Sequence, residues 1–107
     1  MANKELLEYV INTIVSHFHP DRVILFGSHA RGDAKPDSDL DLFVEMDMPG
    51  SPPERAAKVS AVFGLRSWAL DVVVYTPEEV QRLRNINGTL ISLIEAEGKL
   101  LYGSARI

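Results

Sequence analysis

Four consecutive apolar residues, Val23-Ile24-Leu25-Phe26, stand between Asp21 and Gly27 and set the first condition on the fold. Side chains along an extended chain alternate between two sides, so an unbroken apolar run predicts a short strand buried on both faces, in the interior of a sheet. A chain of 107 residues can build one modest core around it, and the whole of 1–107 is expected to be a single domain. Helical cover starts at once: Leu6, Leu7, Val10, Ile11, Ile14, Val15 and Phe18 recur at 3.6-residue spacing, with Asn3 as N-cap and His17-Phe18-His19-Pro20 as the stop.

The remaining elements follow from pattern and punctuation. Residues 27–38 have loop composition, and Leu40 to Val44 is a second strand with apolar residues at its even positions. Pro52-Pro53 suits the first turn of a helix over 53–67, and Val72 to Tyr75 is a third strand opened by Asp71. Thr76-Pro77-Glu78-Glu79 reads as a cap, a first-turn proline and a capping-box acid, starting a helix that runs to about Asn85. Asn87-Gly88 breaks the chain, a short helix over 89–96 ends at Gly98, and Lys99 to Tyr102 is a terminal strand. The expectation is an α+β fold: a small mixed, twisted sheet of about four strands with helices mainly on one face.

The chain has no cysteine, which excludes disulfides, thiolate metal sites and a Cys nucleophile and fits a reducing compartment. No apolar run approaches the roughly 18 residues a membrane helix needs, and acids stand near the N-terminus where a signal peptide would be basic. A cytoplasmic setting without a membrane partner is therefore expected.

The acids are unevenly placed. Asp33, Asp37, Asp39, Asp41, Glu45 and Asp47 face only Lys35 within one short stretch of a chain whose net charge is -4. In a strand, Asp39 and Asp41 would present two carboxylates on one side while Leu40 and Leu42 enter the core. A divalent cation stabilises such a pair, and oxygen-only ligands favour magnesium or manganese over zinc. Upstream, Gly27 permits close backbone approach, Ser28 can open a helical turn whose N–H groups face an anion, and Arg31 can grip phosphate oxygens. A phosphate beside a carboxylate-bound metal is the implied tenant.

The segment Phe26-Gly-Ser-His-Ala-Arg-Gly-Asp-Ala-Lys-Pro-Asp-Ser-Asp-Leu-Asp-Leu-Phe-Val44, with ten residues between its Gly-Ser and its Asp-x-Asp, resembles the signature of the minimal nucleotidyltransferases (MNT domains). These belong to the DNA polymerase beta-like nucleotidyltransferase superfamily. The resemblance implies that Gly27 and Ser28 hold a nucleoside triphosphate, beside which Arg31 is read as a further nucleotide-binding residue, and that Asp39 and Asp41 bind magnesium. It further implies a third carboxylate from a later strand, for which Asp71 is the candidate, as a metal ligand and acceptor of the attacking hydroxyl's proton. Two magnesium ions and ATP as substrate are implied with it. Stand-alone members pair with all-helical HEPN proteins as toxin and antitoxin, which implies AMP transfer from ATP to a partner tyrosine within a hetero-oligomer.

Two other readings stand beside this one: an antitoxin that neutralises its partner by binding alone, and a transferase with a small-molecule acceptor. The absence of a visible acceptor site argues for a protein acceptor, and the negative charge argues against duplex nucleic acid. His29 is left outside the catalytic set. His17 and His19 are expected to cap the first helix, Phe63 and Trp68 to be core, and Arg55, Lys58, Arg66, Arg82 and Arg84 to be solvated cations on helices.

Overall fold

The computed structural model describes residues 4–35 and 37–103. Its elements run α1 (Lys4–Phe18), β1 (Arg22–Phe26), α2 (Ser28–Arg31), β2 (Leu40–Glu45), α3 (Pro52–Ala61), β3 (Leu70–Tyr75), α4 (Pro77–Leu83), α5 (Leu90–Glu97) and β4 (Lys99–Gly103). The sheet order is β3-β2-β1-β4, so the apolar run of β1 does lie in the interior. β1 is antiparallel to β2 and β4, whereas β2 and β3 are parallel and are joined by a crossover through α3. A mixed four-stranded sheet is therefore present, as the pattern of elements predicts.

Both faces of that sheet are covered. Val23, Leu25, Leu42, Val44, Val72 and Val74 pack on one face with Val10 and Ile14 of α1, Ala30 of α2 and Val59 of α3. Ile24 and Phe43 point the other way and meet Val80 of α4 with Ile91 and Ile94 of α5. Three helices thus share a face, and α4 and α5 close the other. The second layer is what allows Phe43 to be buried on the side of β2 that begins with carboxylates.

Local chemistry explains most boundaries. Thr76 accepts from the Glu79 amide at 3.2 Å while Glu79 Oε1 accepts from the Thr76 amide at 2.9 Å, so the capping box reads as expected. Ser51 and Glu54 form a second box ahead of the proline pair of α3. The helix expected over 53–67 stops at Ala61: turns follow, and Gly64 takes φ 60°, a left-handed conformation that ends a right-handed helix. His17 Nδ1 lies 2.9 Å from the Thr13 carbonyl, in keeping with a capping role, and Phe63 is buried against the Trp68 ring. The N-cap expected at Asn3 lies outside the described residues.

Arg55 and Arg84, expected to be solvated, are held in ion pairs. Arg55 is buried, and its Nη1 donates to Glu79 at 2.7 Å and to the Val74 carbonyl at 3.3 Å. Arg84 Nη2 donates to Glu95 at 2.8 Å. Glu95 also accepts from Arg22 at 2.5 Å, and Arg22 reaches Glu45, which is fully buried. Glu45 therefore leaves the acidic clump and joins an ion network at the far end of β2. The sequence hides these pairings because their members are distant along the chain and the helical arginines look like ordinary surface residues.

These pairs make stability depend on acid. Burial pushes the Glu95 carboxyl up, but hydrogen bonds from Arg22 and Arg84 outweigh it and hold it below the usual range; Glu79 is held down likewise, burial again being outweighed, by Arg55 and the Thr76 amide. A carboxylate with a lowered folded pKa contributes fully above its unfolded value, about 4.3 for Glu, and loses that contribution as pH falls through the folded value. Urea unfolding should therefore show stability declining below about pH 4.3. Glu95→Gln should cost about 1.5–3 kcal/mol at pH 7 and flatten the acid limb; an unchanged limb contradicts this account.

Candidate active site

The site is built where three strands end or begin together. β1 runs out at Phe26, whose register partner on β2 is Asp41, and Asp41 in turn is the register partner of Asp71 on β3. The antiparallel pairing brings the end of β1 to the start of β2, and the parallel pairing brings the start of β3 beside it. Gly27, Asp41 and Asp71 therefore stand at one end of the sheet, although they are far apart in sequence.

Gly27 is constrained twice. Its φ is 76°, which side-chain-bearing residues rarely adopt, and a Cβ there would overlap Asp41 Oδ2 and lie 3.0 Å from Asp41 Cγ. The Gly27 backbone thus lies directly against the Asp41 carboxylate. The Gly27 carbonyl accepts from the amides of Ala30 and Arg31, both at 3.1 Å, closing α2 as one turn that begins at Ser28. Gly32, with φ 86°, ends that turn, and its amide donates to the Ser28 carbonyl at 3.0 Å.

Asp39 sits one residue ahead of β2 and is exposed, while Asp41 is half-buried as the second residue of the strand. The Leu40 amide donates to the Ala69 carbonyl at 2.9 Å, so the chain is already paired with β3 at this point. Burial, followed by the negative charges of Asp71 and then Asp39, pushes the Asp41 carboxyl above its usual range, against the opposing pull of His29 and Arg31. Two further carboxylates thus act on Asp41. Among the described residues no three His, Asp or Glu side chains converge tightly enough to hold a metal ion. The donor set is nonetheless oxygen only, and a hard divalent cation would relieve the charge repulsion at Asp41.

Arg31 and His29 each make a contact within the segment between β1 and β2. Arg31 is half exposed, with its Nε 3.3 Å from Asp33, and its charge also draws the Asp41 carboxyl down. His29 Nε2 lies 3.2 Å from the Ser38 carbonyl, tying α2 to the residue before Asp39. Loop composition alone carries no signal for that bond; it depends on how the chain returns from α2 to β2.

The sequence model of the family described as polymerase beta, nucleotidyltransferase, matches residues 8–107. Among solved structures, a toxin-antitoxin complex with AMP-PNP matches with a TM-score of 0.62 and 23% identity over 91% of this chain and 73% of that one. A protein from Sulfolobus solfataricus described as a nucleotidyltransferase matches with a TM-score of 0.63 and 22% identity, over 92% of this chain and 78% of its own. No curated protein sequence matches significantly.

The close approach at Gly27 makes a double-mutant test possible. Gly27→Ala should destabilise the protein by about 1–3 kcal/mol, from the strained φ together with displacement of the Asp41 carboxylate. In an Asp41→Ala background only the φ cost remains, so the same substitution should cost less. Equal costs in denaturant unfolding would separate Gly27 from Asp41.

Proposed function

The chain belongs to the polymerase beta nucleotidyltransferase family, and from that premise we propose that it transfers AMP from ATP to a hydroxyl of a partner protein. In this reading the acceptor is a tyrosine of a HEPN-type helical toxin, and the chain is its antitoxin. The observation that carries the proposal is the row of Gly27, Asp41 and Asp71 across three adjacent strands, with Asp39 two residues from Asp41. The toxin-antitoxin neighbour bound to AMP-PNP supports a protein partner and an adenine nucleotide, and the net charge of -4 argues against duplex nucleic acid. Among the described residues no helix is long and apolar enough to cross a membrane. The unit proposed is residues 1–107 acting as one cytoplasmic domain within a hetero-oligomer.

Each residue has a distinct task. Gly27 lets the backbone approach the phosphates, Ser28 and the amides of its turn donate to them, and Arg31 adds a guanidinium once it leaves Asp33. Asp39, Asp41 and Asp71 would hold magnesium, two ions in this reading, which when bound supplies charge neutralisation for the phosphates and acidifies the acceptor hydroxyl. Asp71 takes the hydroxyl proton. The hydroxyl oxygen then bonds to the α-phosphorus, the bond from that phosphorus to the bridging oxygen breaks, and pyrophosphate departs. Side chains need do little covalent work; positioning and charge do most of it.

The decisive measurement is the intact mass of a co-expressed partner after incubation with ATP and magnesium, where the gain of one AMP is expected. Asp39→Ala with Asp41→Ala should abolish the gain, and Asp71→Asn should slow it by about 100-fold or more while nucleotide still binds. No added AMP, or addition undiminished in the double variant, overturns the proposal. Full protection of cells by the double variant would instead favour an antitoxin acting by occlusion.

Melting gives an independent check on the metal. Because the folded protein disfavours ionised Asp41, removing the charge should stabilise it at neutral pH: Asp41→Asn should melt higher than the wild type without magnesium, by about 4–8 °C per kcal/mol gained. Magnesium should raise the wild-type midpoint and leave that of Asp41→Asn nearly unmoved. Equal gains from magnesium in both proteins would remove Asp41 from the ligand set.

A further inference from the structure

β3 is an edge strand, hydrogen-bonded among the described residues to β2 alone. Its backbone polarity can be read from two bonds: the carbonyls of Ala69 and Tyr75 accept from the Leu40 and Met46 amides at 2.9 and 3.1 Å, so these odd residues point inward. Alternation then turns the amides and carbonyls of Leu70, Val72 and Val74 outward. The Val74 carbonyl is occupied by Arg55, at 3.3 Å. The outward groups of Leu70 and Val72, which flank Asp71, meet no strand among the described residues.

Beside this edge lies an apolar groove of about 200 Å³ lined by Pro52, Pro53, Ala56, Val72, Val73 and Tyr75. Val72 and Val73 point to opposite faces of the sheet, so the groove wraps the free edge itself. Edge strands are normally blunted by lysine, proline or a bulge, and Leu70-Asp-Val-Val-Val-Tyr75 has no lysine or proline. Its one charged residue is Asp71.

We propose that this edge receives an extended segment of the acceptor protein as an added strand, pairing with the free backbone of Leu70 and Val72. The inference rests on the reading of the chain as a transferase to a protein hydroxyl, and it specifies how that hydroxyl is delivered. A residue opposite Asp71 would bring its hydroxyl to the acidic end of the sheet. Two positions along, about 6.6 Å further, a side chain of the added strand returns to the same face, beside Val73 at the groove. The space suits one aliphatic or aromatic side chain and is too small for the face of a helix. The recognised pattern is therefore a hydroxyl residue and an apolar residue separated by one position, on a loop or tail of the partner.

The first experiment needs no turnover. The ¹⁵N-labelled protein is titrated with a capped peptide containing Thr-Tyr-Thr-Leu-Thr and with a control in which Leu is replaced by Gly. Amide shifts at Leu70, Val72 and Val73 that weaken by about tenfold in affinity with the control are expected. Absence of shifts there, equal affinity for both peptides, or shifts confined to exposed apolar residues elsewhere, such as Leu93 of α5 or Leu100 of β4, overturns the proposal. The second experiment uses Ala56→Trp, which fills the groove, and Pro53→Lys at its exposed rim. Both should lower transfer to the partner by about tenfold with unchanged nucleotide binding, and unaltered transfer in both overturns docking at this edge. A wild-type protein that modifies no partner at all, yet binds the peptide at β3, would refute the transferase reading and leave the docking site standing.

Discussion

β2 is paired antiparallel to β1 and parallel to β3, and nearly everything else in the molecule depends on that combination. The antiparallel side carries the Gly27-Ser28 turn to the head of β2; the parallel side, which requires the crossover through α3, carries Asp71 to the same place. One register then sets Asp41 between Phe26 and Asp71, and the left-handed Gly27 that follows leaves room for the Asp41 carboxylate. Sliding β2 by one residue against its neighbours would turn Asp41 toward the face packed by α1 and α3 and Leu42 away from it.

The two ends of β2 treat negative charge in opposite ways. At the far end, buried Glu45 is paired with Arg22, which also holds Glu95, and Arg84 completes the network. At the near end Asp41 lies against the Gly27 backbone and is pressed by Asp71 and Asp39, with its carboxyl pushed up by burial and by those charges. The first arrangement is self-sufficient and ties α5 to the sheet. The second leaves Asp41 under a net repulsion that His29 and Arg31 only partly offset, a cost in stability that a bound cation would relieve. The acidic clump is thus two structures, and only its N-terminal part belongs to the candidate site.

Much of this was legible from residue order, for a physical reason. Strands with branched apolar runs, a Thr-Pro-Glu-Glu helix start and a Gly-Ser to Asp-x-Asp spacing are local signals, and each has its place in the fold. Pairings across long separations carry no such signal. Arg55 meets Glu79 over 24 residues and Arg84 meets Glu95 over 11, so single cations read as solvated are partners in ion networks. The Asp41 and Asp71 register is equally non-local, which is why Asp71 could be proposed only through a family resemblance. The early end of α3 escaped because a left-handed Gly64 outweighs a run of helix-compatible residues.

Arg55 joins these levels. Its guanidinium lies in the interface between α3 and β3, where it offsets Glu79, the carboxylate that also caps α4, so one side chain ties α3, β3 and α4 together. By taking the Val74 carbonyl it also closes the free edge of β3 at that point and confines the open backbone to Leu70 and Val72. An edge strand of valines would otherwise offer its whole length to any extended chain, with aggregation as the consequence. Closure at one end restricts pairing to the stretch that flanks Asp71, so the interaction that stabilises the parallel side of the sheet also selects where on that edge another chain can be read.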